Sequence, residues 1–192
     1  MTDWTEHRYA VIDVEGNGQR PPDLVELAVV PIDAGRIGVT TSWLFKQSQP
    51  ITPIARRIHG ITNEMVTDAP AFAGLEAAVR AHLDGAVLVA HNAGGDLRVL
   101  RRKMPDFAPA EVLDTLTLSR RLRPEQSSHR LGALAQALDL TEGLPARLTP
   151  HRATYDALVT ARLFLRLATK PDGTPMSIDE LRDQPGDDDA LF

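Results

Sequence analysis

The sequence predicts one α/β domain built on a mixed sheet, and three observations carry that reading. Apolar, β-branched runs come first along the chain, and helical periodicities alternating with a further strand follow them. The length of 192 residues, with 43% hydrophobic and 24% charged residues, suits a single core. Residues 9–14 (YAVIDV) form a short buried strand, which Gly16-Asn17-Gly18 and Pro21-Pro22 break. Residues 23–32 and 36–45 are two further strands joined by Asp33-Ala34-Gly35, so the first three strands form a meander. From Thr52 the pattern changes to short helical pieces around Ile54, Ile58 and Ile61. Alanines and apolar periodicity predict a helix over 70–83, and Gly85 introduces a strand over 86–90. Helices are expected at about 95–104, 115–122, 129–138 and 153–167. Residues 1–170 then make up the domain. Residues 171–192 are expected to be a linker, one short helix opened by a Ser177/Glu180 capping box, and a disordered acidic tail.

Composition excludes several classes of protein. No apolar run approaches the roughly 18 residues that span a bilayer, and the first residues lack the basic start and apolar stretch of a signal peptide. A cytoplasmic protein with no membrane partner is expected. With no cysteine there is no disulfide, thiolate zinc site or cysteine nucleophile. The net charge of −5 is unevenly spread, because six acids between Asp179 and Asp189 against the single base Arg182 account for all of it. The neutral remainder holds basic clusters at Arg56-Arg57, at Arg98 with Arg101-Arg102-Lys103, and at Arg120-Arg121 with Arg123. Such clusters suit a phosphate backbone, and ordinary solvated helix faces look the same.

Acidic residues interrupting apolar segments are the informative feature. Asp13 and Glu15 are two apart on a strand and so share a face. Buried carboxylates are costly unless paired or bound to a metal, and a divalent cation would neutralise two on one face. A hydrated strand end is the alternative. Asp96 follows the 86–90 strand and Asp156 heads the last long helix. Either one alone could be an acid favoured by a helix dipole. His151 and Asp156, five apart, are about 140° apart on an ideal helix. They converge only if His151 lies in the turn before it, and Thr149-Pro150 is a suitable junction.

In this order and spacing the residues resemble the three motifs of the DEDDh, or DnaQ-like, 3′→5′ exonuclease family. The segments are Val11-Ile12-Asp13-Val14-Glu15, His91-Asn92-Ala93-Gly94-Gly95-Asp96 and His151-Arg152-Ala153-Thr154-Tyr155-Asp156-Ala157, with Ile58-His59-Gly60-Ile61-Thr62 between the first two. The resemblance covers about residues 8–168 and is nearest to small single-domain members of the exonuclease X kind. It implies an RNase H-like mixed sheet of five strands, the second antiparallel, flanked by helices. It also implies that Asp13, Glu15, Asp96 and Asp156 hold two divalent cations, Mg²⁺ or Mn²⁺, with His151 as general base. Val14, Gly16, His59, Ile61 and Asn92 would position the terminal nucleotide of DNA or RNA with a free 3′ end, DNA being favoured. Two departures stand out: Gly16-Asn17-Gly18 replaces the usual Thr or Ser after the first motif, and Gly95 stands where Phe is usual. They motivate a rival reading as a catalytically weak nucleic-acid-binding module. A second rival is a proofreading subunit of a polymerase assembly. Leu191-Phe192 resembles the end of sliding-clamp-binding peptides, but the expected glutamine is out of register. Contact with a clamp or polymerase is therefore expected to be weak, and a solubilising tail is the plainer reading.

Overall fold

Alternation along strand β1 (Tyr9–Gly16) divides the core into two layers. Tyr9 and Val11 enter the apolar cluster on one face of the sheet, and Ala10 and Ile12 enter the cluster on the other. The pleat carries this period onward, so Asp13 and Glu15 project from the face of Tyr9 and Val11. The structure, a computed structural model, describes residues 2–182. The acidic run at 183–189 and Leu191-Phe192 lie outside the described residues.

Strand β2 (Leu24–Asp33) pairs antiparallel with β1, setting Asp13 opposite Ala28 and Glu15 opposite Glu26. The strand expected over 36–45 is two short ones, β3 (Arg36–Ile37) and β4 (Thr41–Leu44), both antiparallel to β2. Pro31 on β2 has no N–H to continue the ladder, and only its carbonyl is used, accepting from Gly38 N at 2.8 Å. The sheet therefore has six strands rather than five, in the order β3-β2-β1-β5-β6 with β4 also on β2. Strands β5 (Val87–Ala90) and β6 (Val112–Asp114) extend it in parallel from β1. The sequence left β6 unassigned, because three residues are too few to show a period.

Helix α1 (Pro53–His59) follows the meander, capped by the Thr52 side chain. The helix expected over 70–83 starts late, with a 3₁₀ turn at Phe72–Gly74 and then α2 (Glu76–Leu83). Helix α3 (Gly94–Lys103) joins α2 on the Ile12 face. Helices α4 (Thr115–Leu122), α5 (Leu131–Ala137) and α6 (Ala153–Leu167) cover the opposite face. On α6 the small Ala153, Ala157 and Ala161, all fully buried, allow the helix to lie close across β1 and β2. Glu180 and Ser177 form the expected capping box, with backbone-to-side-chain hydrogen bonds of 2.7 and 3.2 Å, at the start of α7 (Ile178–Arg182). Ile178 and Leu181 are each 1% exposed within the larger core, so this segment packs as part of the fold. No helix among the described residues is long and apolar enough to cross a membrane.

Candidate active site

Within β1, Tyr9–Val11 alone pair with β5, so β1 continues past its parallel neighbour, and Asp13 and Glu15 sit on that overhang. The first turn of α6 brings Asp156 to them from the helix layer. One carboxylate oxygen of each of Asp13, Glu15 and Asp156 lies within 4.8 Å of the other two. Asp96 arrives from the opposite layer, in the first turn of α3, and is 9% exposed. It lies beside Asp13 and the Val14 backbone and stands apart from the tight three-carboxylate group.

Packing these acids together opposes their ionisation. Burial, then the charges of Asp96, Asp156 and Glu15, holds the Asp13 carboxyl well above the usual carboxylate range. Burial, with Asp156 and Glu26 adding to it, pushes Glu15 up to about 8. Burial raises Asp96 to about 7 against the backbone N–H groups of Asp96 and Val14. Asp156 is raised by burial too, while His151 opposes this by charge and by a backbone N–H bond of 3.0 Å to Oδ2. Clustered oxygen donors with unfavourable mutual charge are the environment that hard divalent cations neutralise. The side chains present therefore fit a hard divalent cation, with Asp13, Glu15 and Asp156 able to reach one ion and Asp96 adjoining them.

The start of α6 is held in place by a residue the site reading overlooked. Glu26, 3% exposed on β2, accepts from Arg152 Nε at 3.0 Å, Arg152 Nη2 at 2.7 Å and the Ala153 N–H at 3.0 Å. It thus caps α6 from another element, satisfying one of the free N–H groups at the helix start. The signal was present, since Glu26 interrupts the apolar run Leu24-Val25-Glu26-Leu27-Ala28-Val29 just as Asp13 interrupts β1. His151 lies before the helix, with φ of 62°, and is exposed. It lines the same cleft as Asp13 and Asp156, so the turn the sequence required is present.

The remaining expected residues divide. Asn92, with φ of 67°, lines that cleft next to His91. Its N–H donates to Asp114, which also accepts from Ala93 N and Leu116 N at 2.8–3.1 Å, so one carboxylate organises the starts of α3 and α4. Val14 is half-buried against the α3 layer, and Gly16 ends β1. His59 and Ile61 are 4% and 0% exposed and are joined by the Ile61 N–H to His59 Nδ1, at 3.0 Å. The His59 ring adjoins the Gly16 backbone, and neither residue is among those lining the cleft. Asn17 is fully buried, and its Oδ1 accepts from Gln19 N at 3.1 Å and Asp23 N at 2.9 Å. The departure at Gly16-Asn17-Gly18 is thus a latch joining the end of β1 to the start of β2. A Cβ at Gly95 would meet nothing within 4 Å, so a larger residue there would point into open space.

Comparison with known proteins agrees with this geometry. The family model described as Exonuclease (RNase_T) matches residues 10–164. A DNA polymerase III subunit epsilon-like protein of Rhodobacter capsulatus is 38% identical over 167 residues, 83% of this chain and 23% of that protein. The 3′-5′ exonuclease DinG of Bacillus subtilis is 33% identical over 172 residues, 86% of this chain and 18% of that one. The chain therefore spans about a fifth of the length of these curated relatives. The solved structure of exonuclease X in complex with 5′ overhanging duplex DNA matches with a TM-score of 0.74 at 32% identity, over 91% of this chain and 99% of that one. Since the matched span holds all three acidic segments, the chain belongs to the DnaQ-like, DEDDh exonuclease family.

Proposed function

We propose that this protein removes 5′-mononucleotides from the 3′ end of nucleic acid, DNA in preference to RNA, with two divalent cations held by Asp13, Glu15, Asp96 and Asp156. The observation that carries the reading is the convergence of Asp13, Asp156 and His151 on one cleft, with Glu15 in the same carboxylate group. Bound Mg²⁺ or Mn²⁺ would stabilise charge on the scissile phosphate and its oxygens. His151 stands in the exposed turn where it can take a proton from the attacking water, and histidine is the side chain whose charge changes nearest neutral pH. The water oxygen bonds to phosphorus, the bond to the 3′ oxygen of the preceding nucleotide breaks, and that oxygen gains a proton from solvent. Val14 and Gly16 would offer backbone to the terminal nucleotide, His59, which adjoins the Gly16 backbone, and Ile61 would help position it, and Asn92 stands at the cleft wall. The preference for DNA is supported by the exonuclease X match, whose complex is with duplex DNA.

Matched single- and double-stranded DNA and RNA oligonucleotides, labelled at the 5′ end and incubated with Mg²⁺ or Mn²⁺, test it. The expected result is a ladder of products shortened one nucleotide at a time from the 3′ end, formed faster from DNA. Internal cuts, or no shortening, would contradict the reading.

A further inference from the structure

The cleft is lined by more than the carboxylate site. It encloses about 770 Å³, and Arg120 and residues 127–130 line it together with Asp13, Asp156 and His151. That is in the upper part of the range of about 300–1,000 Å³ for small-molecule sites. Arg120 lies near the end of α4 and Arg130 just before α5, and both are exposed. Neither guanidinium has a carboxylate partner among the described residues. The connector between them is fixed from beneath. His91 Nε2 lies 3.0 Å from the His129 carbonyl and His91 Nδ1 lies 2.9 Å from Thr115 Oγ1, while His129 Nδ1 lies 3.1 Å from Ser119 Oγ. Burial lowers the His91 pKa, and since a carbonyl can only accept, Nε2 donates to His129. Cations and hydroxyls thus line the same cleft as the acids, on a braced loop.

We propose that this part of the cleft lining is a track for the phosphodiester backbone of the strand 5′ to the scissile linkage, with Arg120 and Arg130 contacting phosphates and Ser127 and Ser128 beside them. This rests on the exonuclease reading and adds the path of the substrate. Phosphate contacts of this kind position a strand without reading its bases, and each adds about 0.7 to the salt dependence of single-strand binding.

The test compares Arg120→Ala/Arg130→Ala with the unaltered protein on DNA and RNA octanucleotides and on the 4-nitrophenyl ester of thymidine 5′-monophosphate, which has no upstream strand. The expected result is a loss of kcat/KM on the octanucleotides at least about tenfold greater than on the ester, with a shallower salt dependence. Loss on one polymer alone would assign the track to that polymer. Equal loss on ester and octanucleotides would overturn the track while leaving the exonuclease reading standing. If the unaltered protein hydrolysed none of the substrates, that reading would fall by itself. Fluorescence anisotropy with a labelled octanucleotide then decides the track separately: weaker binding by the variant supports it and unchanged binding overturns it.

Discussion

Arg152 grips Glu26 through two hydrogen bonds of 2.7 and 3.0 Å, tying the turn that carries His151 to the strand facing Glu15. Arg152→Met would leave Glu26 buried and unpaired. Breaking a buried pair from one side costs about 3–5 kcal/mol. The Arg152 side chain is 31% exposed, so solvent screens part of this and a loss of about 2–3 kcal/mol is expected in urea unfolding. Adding Glu26→Gln should recover more than half of it. A double variant as unstable as the single one would show that the pair is not the cause.

The raised carboxyls give the metal-free protein a definite pH dependence. A carboxyl whose pKa is raised by folding contributes stability that is fully present below its ordinary value and is lost as pH rises through the folded one. Asp96 and Glu15 place that loss between about 4 and about 8. Without metal, the melting temperature should fall from pH 5 to pH 8.5, and Mg²⁺ or Mn²⁺ should restore it more at the alkaline end. A metal-free melting temperature that rose over this interval would contradict the electrostatics.

His151 combines an exposed side chain with φ of 62°. His151→Asn keeps a residue tolerant of that backbone while removing the base. Turnover should fall at least about 10²-fold with the unfolding midpoint nearly unchanged. A variant that kept its turnover would exclude His151 as the base.

Two glycines should respond in opposite directions. At Gly18, with φ of 75°, an added Cβ would clash with Thr52 Oγ1 and lie 2.9 Å from Ala55 Cβ. Moving Thr52 aside loses the cap of α1, so Gly18→Ala should cost about 1–3 kcal/mol. At Gly95 nothing obstructs a Cβ, and Gly95→Ala should stabilise α3 by up to about 1 kcal/mol. Thermal unfolding of both variants, compared at one pH, measures the difference.

What was legible in the sequence follows from what each residue needed. Helices α4 and α6 begin and end where their periodicity does, because each carries a full apolar stripe. Asp13 and Glu15 were legible as a pair because strand period alone puts them on one face. Strand β6 and the break near Pro31 were not, since one is too short and the other depends on a neighbouring strand. Glu26 and Asp114 act on N–H groups far along the chain, at Ala153 and at Asn92, and no local pattern announces such partners. Asp96 and Asp156 needed the family resemblance, because a helix start explains either one alone.

Mononucleotide release by Asp13→Asn, measured on a 5′-labelled oligonucleotide with Mn²⁺ present, bears most directly on the carboxylate centre. The substitution keeps the side-chain shape and removes the charge from the most enclosed of the three clustered acids, so the fold should persist and release should cease. Release at the unaltered protein's rate would mean that the metal-holding role assigned to Asp13 is wrong.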